Sequence, residues 1–439
     1  MKRAFAGGAV ALVLAGASDA QAAGALASIA TRAAKAAAAP GPALVVAAPL
    51  ASDVQAPRGD ELTERLAQLI AGALGGATHA AAHPSTLAQA RVLAGKESAR
   101  LVFVQPVIVR GVLRVTLDAY PGASNGWDRV RNPEPPPSGH AFFDAPIDAE
   151  VRAFLATIPL EHAGVHRATH EEGDVLAAAC GDLDGDGGLD LVLVSRTRVV
   201  SGHVNGGRFV PAKTALWTSL APRAAVPLRE PIAAASIVPP RGEDETARLL
   251  VGTTDRGGVA LDPSLVLVGN LRGIPVPAPE DACGVPAPEA STLVGPVTAC
   301  GSSAAAGATV RAAAPASFDA LAVADLVRPD GTSRIAQAAR EPGGKLDVKW
   351  GDAAQTLDGV GAQIAIGDLD QDGVPEIATS AASGDDAVTV STWDGTGDPR
   401  PRLRLPAPAG VRALCVCPPE EGGTPALVAV VGNEVWIVR

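Results

Sequence analysis

Two short stretches of the chain place acidic residues at a spacing that could hold a cation. "GDLDGDGGLD" begins at Gly181 and "GDLDQDGVPE" begins at Gly367, and each has acids at positions 1, 3, 5 and 9 and Gly at position 6 of a loop. Carboxylates that converge on one point repel one another unless a cation lies between them, and Gly permits the sharp turn that this requires. Oxygen ligands at this spacing are typical of Ca²⁺. The pattern therefore predicts two calcium loops.

The predicted ligands are the four acids of each loop and one main-chain carbonyl at position 7, with water completing the coordination. The ligands of the first loop are Asp182, Asp184, Asp186, the carbonyl of Gly188, and Asp190, and those of the second are Asp368, Asp370, Asp372, the carbonyl of Val374, and Glu376.

Two other interpretations of these loops are weaker. An EF-hand carries an acid at position 12 and lies between helices, whereas position 12 is Leu193 in one loop and Thr379 in the other, and both flanks have the pattern of strands. Two solvated acidic turns without a metal are the other alternative. The spacing occurs twice, each time before an apolar strand, which favours calcium.

The chain from about residue 160 is predicted to repeat a strand–turn–strand layout. Degenerate copies fall near residues 182, 237, 325, 368 and 417, and one unrecognised copy is expected around 281. Units of about 40 to 55 residues that each form a small antiparallel sheet close into a β-propeller. We therefore predict a mainly β fold with roughly six blades, in which "NEVWIVR" at the C-terminus pairs with a strand near His162–Thr169.

The sequences "AAACGDLDGDGGLDLVLVS" and "GAQIAIGDLDQDGVPEIATS" resemble FG-GAP (VCBS-type) repeats, the units of integrin-α-like β-propellers. The resemblance covers residues 160–439 and implies that each metal loop joins neighbouring strands within one blade. The copies at Asp325 and Cys417 lack most of the acids, so only two Ca²⁺ sites are expected.

An α/β domain is predicted to precede the propeller. "ALVVAAPL" has the pattern of a buried strand, Arg58–Leu74 and a segment capped by Ser85 have that of helices, and residues 100–120 have that of a hairpin turning at Arg110-Gly111. This order resembles the N-terminal domain of TolB-like envelope proteins, which implies interaction and not catalysis.

The predicted boundaries follow from these patterns. They are an Ala-rich linker or short helix at 23–42, the TolB-like α/β domain at 43–125, a Pro-rich hinge with a short helix (Ile147–Ile158) at 126–159, and the propeller at 160–439.

The N-terminus has the three parts of a secretory signal peptide. Lys2 and Arg3 precede an apolar run, Phe5–Ala15, and Ala20-Gln21-Ala22 is typical of a cleavage site. We expect cleavage after Ala22 and a mature protein in the periplasm or outside the cell. No other segment is long and apolar enough to be predicted as a membrane span.

Export permits disulfides, and the chain has five cysteines. Cys283 and Cys300 bracket a Pro- and Gly-rich loop and are predicted to pair. Cys415 and Cys417 would face the same side of a strand, which is a poor geometry for bonding to each other. Buried free thiols are expected for these two and for Cys180.

Composition and motifs narrow the function. The net charge of −11 excludes the broad positive field that nucleic acid or anionic lipid requires. No HExxH, GxSxG or P-loop pattern is present. The leading hypothesis is an exported, non-enzymatic, calcium-binding module that binds protein or glycan, or acts as a scaffold, at the cell envelope or exterior. The alternatives are a propeller hydrolase or lyase with its site in the central channel, and a purely structural surface protein.

Overall fold

A computed structural model describes most of the chain after residue 23. The described ranges are 24–76, 78–122, 134–223, 231–240, 245–279, 281–287, 292–301, 315–382, 384–420 and 423–439. The predicted signal peptide lies outside the described residues. Among the helices within these ranges, none is long and apolar enough to cross a membrane.

The N-terminal part is a mixed sheet covered by helices, which we call the α/β unit. Its helices are α1 (Ala25–Ala36), α2 (Gly59–Leu74), α3 (Leu87–Glu97) and α4 (Ala149–Arg152). Its strands are β1 (Ala43–Ala47), β2 (Ala51–Ser52), β3 (Thr78–Ala80), β4 (Arg100–Val109), β5 (Val112–Tyr120) and β6 (Gly139–Pro146). The strand order is β3-β1-β4-β5-β6, with β2 beside β4. β1 runs parallel to β3 and β4, and the pairs β4–β5 and β5–β6 are antiparallel.

Helices on both faces of this sheet explain why β1 is apolar at every position. Val45 packs with α1 and α2 on one face, whereas Val46 packs with α3 on the other. A strand that is buried on both faces has a continuous apolar sequence. The β4–β5 hairpin turns at Arg110 and Gly111, both with positive φ, as a tight two-residue turn requires.

The structure of the α/β unit decides one open alternative and differs from the sequence predictions at two other points. Of the two alternatives for the Ala-rich segment, the helix is the one observed, because α1 spans Ala25–Ala36 and buries Leu26 and Ile29 in the core. Much of the predicted hinge is structured, since β6 pairs with β5 over its length and the helix there is only Ala149–Arg152. Thr86, and not Ser85, caps α3. Residues 123–133, which contain the end of the predicted α/β domain and residues 126–133 of the predicted hinge, lie outside the described residues.

The C-terminal part consists almost entirely of strands. Its elements are a 3₁₀ turn (Leu160–His162), β7 (Val165–Thr169), β8 (Val175–Gly181), β9 (Asp190–Ser195), β10 (Arg198–Asn205), β11 (Arg208–Leu216), α5 (Trp217–Leu220), β12 (Ala233–Val238), β13 (Arg248–Thr253), β14 (Gly257–Leu261), β15 (Leu267–Asn270), β16 (Ile274–Val276), β17 (Ala282–Pro286), β18 (Leu293–Ala299), β19 (Ser317–Phe318), β20 (Ala320–Val327), β21 (Ser333–Arg340), β22 (Leu346–Trp350), β23 (Ala353–Leu357), β24 (Val360–Gly367), β25 (Glu376–Ala381), β26 (Ala387–Thr392), β27 (Arg400–Pro406), β28 (Val411–Cys417), β29 (Ala426–Val431) and β30 (Glu434–Val438).

These strands form a propeller-like arrangement. Within the described residues, four sheets contain four strands each in chain order, β12–β15, β16–β19, β20–β23 and β24–β27. A further sheet has the order β28-β29-β30-β7-β11-β10-β9-β8. We call β8, β12, β16, β20, β24 and β28 the first strands, because each begins a run of strands that pair with one another. They contact one another in this order, and β28 contacts β8 again. The sheets are therefore arranged around a closed ring of first strands.

Two interactions join the ends of this part of the chain. β7 pairs antiparallel with β30, so that Val165 lies opposite Val438, which is the pairing predicted for the C-terminal strand. Cys180 of β8 forms a disulfide with Cys417 of β28. The prediction of free thiols at these two positions is wrong, because the bond joins residues 237 apart in sequence and no local pattern indicates their contact.

The other cysteines are Cys283, Cys300 and Cys415. Cys283 and Cys300 are joined by a disulfide between β17 and the end of β18. Cys415 is a free thiol whose Sγ lies 3.4 Å from that of Cys180. It is thus next to the disulfide that joins β8 and β28.

Replacing Cys180 and Cys417 together with Ala should lower the melting temperature more than replacing Cys283 and Cys300 together. The two disulfides span 237 and 17 residues, and loop-closure entropy alone gives a difference of about 2 kcal/mol in favour of the longer loop. Thermal melts without reductant measure this. Cys415→Ala, which removes no disulfide, is the control. Equal losses from the two double variants would contradict the prediction.

Candidate metal centres

Both acidic loops occupy the same place in their sheets. The first joins β8 to β9, and the second joins β24 to β25; in each case these are the first two strands of a four-stranded run. Gly181 pairs with Asp190 at the base of one loop, and Gly367 pairs with Glu376 at the base of the other. Since strands flank both loops, neither is an EF-hand.

Main-chain N–H groups fix the acids of the second loop. Asp368 accepts hydrogen bonds from the N–H groups of Asp372 (3.0 Å) and Gly373 (2.9 Å). Glu376 accepts from the N–H of Leu369 (2.8 Å). The loop therefore folds around its own carboxylates.

The first loop shares three of these main-chain bonds. They run from the N–H of Gly187 to Asp182 (3.1 Å), from the N–H of Leu183 to Asp190 (3.0 Å) and from the N–H of Gly188 to Asp186 (2.7 Å). The last bond has its counterpart between the N–H of Val374 and Asp372 (2.8 Å) in the second loop. The loops differ at one bond, because Asp182 also accepts from the N–H of Gly185 at position 4 (2.7 Å), whereas Asp368 accepts from position 5.

The acids at positions 1, 3 and 9 converge in each loop. One carboxylate oxygen from each member lies within 4.8 Å of the others, and the two groups are Asp182, Asp184 and Asp190, and Asp368, Asp370 and Glu376. The position 5 acids, Asp186 and Asp372, are outside these groups. Ligation by these two acids, and by the carbonyls of Gly188 and Val374, stays a prediction.

The two groups differ in burial. Asp182 and Asp184 are exposed, whereas Asp370 is 6% and Glu376 is 0% exposed. Burial, and then the charge of Asp372, raises the pKa of Asp368 to about 8. The same two causes raise the pKa of Asp370 to about 6. Burial also raises the pKa of Glu376 well above its ordinary value, so the second group is strongly destabilised as bare carboxylates.

A cation fits the second group for a further reason. The Oδ1 atom of Asp370 is buried and has no hydrogen-bond partner. A buried oxygen without a partner costs free energy that a metal ligand bond would offset. Because all the converging donors are carboxylates, the group suits a hard cation such as Ca²⁺.

Arg402 and Thr392 also belong to the second centre, and no sequence pattern indicated them. Arg402 lies on β27, and its Nη1 is 3.6 Å from Oδ2 of Asp370 and donates to the hydroxyl of Thr392 (3.2 Å). Thr392 in turn donates to Glu376 (2.9 Å). Arg402 also forms an ion pair with Glu161. These residues orient two acids of the group, but they come from strands distant in sequence from the loop.

A cavity of about 930 Å³ lies between the ring of first strands and the α/β unit. Its propeller side is lined mainly by Ala, Val, Ile, Leu, Gly and Pro of β8, β12, β20, β24, β28 and the segments that follow them. Gly111, Val112, Arg114 and residues 144–146 of the α/β unit form the other side. Its described lining contains no His and no aromatic ring, and its ionisable side chains other than Cys415 are Arg114, Asp144, Asp182, Asp325 and Glu420.

The sheets and their closed ring define the class as a β-propeller-like protein preceded by an α/β unit. No protein-family model matches the chain, and no curated protein matches it. The chain is only distantly similar to solved structures.

AofleA from Arthrobotrys oligospora has 11% identity and a TM-score of 0.35, over 64% of this chain and 88% of that one. The SapL1 lectin in complex with α-methyl fucoside has 11% identity and a TM-score of 0.26, over 77% and 94%. BBS1N in complex with ARL6DN has 12% identity and a TM-score of 0.26, over 75% and 87%. TM-scores this low carry no argument about function.

The metal-free protein should become less stable as the pH rises from about 4 to about 8. The pKa of Asp368 is raised from 3.8 to about 8 in the folded state, so its stabilising contribution is present below the unfolded pKa and is lost as pH rises through the folded pKa. Thermal melts of calcium-stripped protein in BAPTA across this range measure the loss.

Calcium should remove this decline, because the ion binds the deprotonated carboxylates. Asp368→Asn is the matched variant: without calcium its melting temperature should depend less on pH than that of the unmodified protein. A metal-free protein whose melting temperature rises steadily over the same range would contradict the assignment.

Proposed function

We propose that the protein is an exported, calcium-binding β-propeller of the FG-GAP type that acts as a binding or scaffolding module at the cell envelope or exterior. The proposal has four parts, which are the number of blades, the metal, the absence of catalysis and the nature of the partner.

Six blades are inferred from the ring of first strands. The sheet with eight strands divides naturally into β8–β11 and a second set made of β28, β29, β30 and β7, because only one residue pair, Arg208 with Thr169, joins β11 to β7. Together with the four separate sheets, these two sets give six units whose first strands contact in order around the ring. Strand β7 then completes the last blade, as propeller closure requires.

Calcium is proposed for two sites, one in each loop. The support is the convergence of three carboxylates in each loop and the buried, unpartnered Oδ1 of Asp370. A cation that binds the folded loops and not the unfolded chain stabilises the fold by about 3 to 4 kcal/mol when its concentration is a hundred to a thousand times Kd. This is the role that we assign to both ions.

Binding is favoured over catalysis by the lining of the central cavity, and this observation carries the proposal. A propeller enzyme needs titratable groups that converge on one reacting atom. The described lining is instead dominated by small apolar residues and proline, and Glu420 is engaged with Arg439 at 2.7 Å. A hydrolase or lyase site would have a different lining.

A protein partner is favoured over a glycan by one exposed apolar segment. Val266, Leu267 and Val268 are 59%, 40% and 61% exposed, and β15, which begins at Leu267, is the outer strand of its sheet. An exposed apolar edge strand offers both apolar contact and unpaired main-chain groups to another chain. Glycan recognition typically uses exposed aromatic rings, and of the described exposed large apolar residues only Phe142 is aromatic.

Isothermal titration of calcium-stripped protein should give two bound Ca²⁺ per chain. Asp184→Asn and Asp370→Asn should each remove one site, because each takes a charge from one converging group. Of the two, Asp370→Asn should lower calcium-dependent thermal stability more, since its group is the more buried. Elemental analysis checks the stoichiometry. No heat of binding and no calcium in the purified protein would contradict the metal assignment.

Partner capture from an envelope extract tests the binding surface. Bait carrying Val266→Asp and Val268→Asp should lose specific partners that the unmodified bait retains, because two charges on β15 oppose apolar contact and strand addition. Val54→Asp is the control, since Val54 is 40% exposed and lies in the α/β unit. If both baits capture the same proteins in the same amounts, β15 is not the binding surface.

A further inference from the structure

Gln371 occupies position 4 of the second acidic loop with a backbone conformation that disfavours side chains. Its φ is +58°, whereas position 4 of the first loop is Gly185 with a φ of +83°. Residues other than Gly rarely adopt positive φ, and such residues concentrate at functional sites. Position 4 therefore has a left-handed backbone in both loops. Gly185 adopts it at little cost in the first loop, whereas Gln371 adopts it in the second with a side chain that can make further contacts.

The side chain of Gln371 joins the loop to the α/β unit. Its Oε1 accepts hydrogen bonds from Nε (3.1 Å) and Nη2 (2.6 Å) of Arg152, the last residue of α4. Its Nε2 donates to the carbonyl of Ile147 (2.6 Å). Gln371 is 5% exposed, so these bonds are buried. We call the three residues the docking contact.

The neighbouring turn supports the same contact. Gly373 of the loop packs against the β20–β21 turn, and a Cβ at this position would lie 2.8 Å from Pro329 and 3.0 Å from the Cα of Arg328. Gly331 of that turn faces the carboxylate of Glu150 on α4. Helix α4 therefore lies against both the metal loop and the turn beside it.

The docking contact holds one wall of the central cavity. Asp144, Ala145 and Pro146, which directly precede Ile147, line the cavity from the α/β unit. Cys180 and Cys415 lie in the propeller part of the same lining. Release of the docking contact would separate these two sides and open the cavity to solvent.

We propose that calcium in the second loop holds the α/β unit over the mouth of the propeller channel through Gln371, so that metal binding and closure of the central cavity are coupled. This inference rests on the proposed calcium site. Gln371 lies between Asp370 and Asp372, and ligation by the loop acids restricts the backbone that presents its amide. The first loop has Gly185 at this position and makes no such bridge.

Cys415 reports closure without any added label. It is the free thiol of the chain, and it is half-buried in the lining of the cavity. Its surroundings raise the pKa of the thiol to about 12. In calcium, alkylation by N-ethylmaleimide should be slow. In BAPTA, alkylation should be faster by about tenfold, since the rate follows the open population. Mass spectrometry of the intact protein under non-reducing conditions measures both rates, with Cys415→Ala to show that the adduct is at this thiol.

Gln371→Gly is the decisive variant. It gives the second loop the residue found at position 4 of the first loop and removes the side-chain bonds of the docking contact. The variant should still bind two Ca²⁺ by titration, yet its alkylation should be fast and should not depend on calcium. Arg152→Met should have the same effect from the other side of the contact. Asp184→Asn, in the first loop, should keep the calcium-dependent protection.

The outcomes separate this inference from the calcium proposal. If the unmodified protein binds no calcium, the proposed metal function fails. If it binds two ions but Cys415 is alkylated at the same rate in calcium and in BAPTA, calcium binding stands and the coupling is wrong. If Gln371→Gly retains calcium-dependent protection, Gln371 is not the connection, and the inference is also wrong.

Discussion

The fold depends on closure of the ring of first strands. A propeller-like arrangement places its blades around a channel, and the first and last blades must adhere although the chain that forms them is far apart in sequence. Two interactions provide this adhesion, the pairing of β7 with β30 and the disulfide between Cys180 and Cys417. The pairing of β7 with β30 joins the outer strands of the closing sheet, and the disulfide joins the innermost strands β8 and β28. Strands of this ring line the cavity, and each acidic loop follows one of them, so their placement depends on closure of the ring.

The two metal loops show how one local sequence acquires different energetics from its surroundings. Three main-chain hydrogen bonds to the acids recur in both loops, so most of the loop fold is shared. Asp370 and Glu376 are buried because the β20–β21 turn, Arg402 and the α/β unit cover the second loop. Burial makes uncompensated charge costly and makes a bound cation correspondingly stabilising. The more covered loop is thus the one where the charges of the acids and the packing of the α/β unit are linked.

What could be predicted from sequence was local. The alternation of acids, the Gly at position 6 and the following apolar strand all lie between Asp182 and Ser195 or between Asp368 and Ala381, and they correctly indicated loops between strands in which the acids at positions 1, 3 and 9 converge. The contacts of Arg402, Arg152 and Cys417 lie far away in sequence, and a single sequence carries no periodic signal for them. The prediction of a hinge failed for a related reason: proline predicts a break in regular structure, but β6 follows the proline run and pairs with β5 as the edge strand of the sheet.

Gln371 was visible in the sequence as a departure from its own repeat, and its meaning required the structure. A Gly at position 4 needs no explanation, because a left-handed backbone costs it little. A Gln at that position accepts an unfavourable φ, and it keeps that conformation because Arg152 and Ile147 bind its amide. The exchange adds three buried hydrogen bonds between the loop and the α/β unit, which Gly could not make. These bonds fix the position of the α/β unit against the second loop and so link the two parts of the protein.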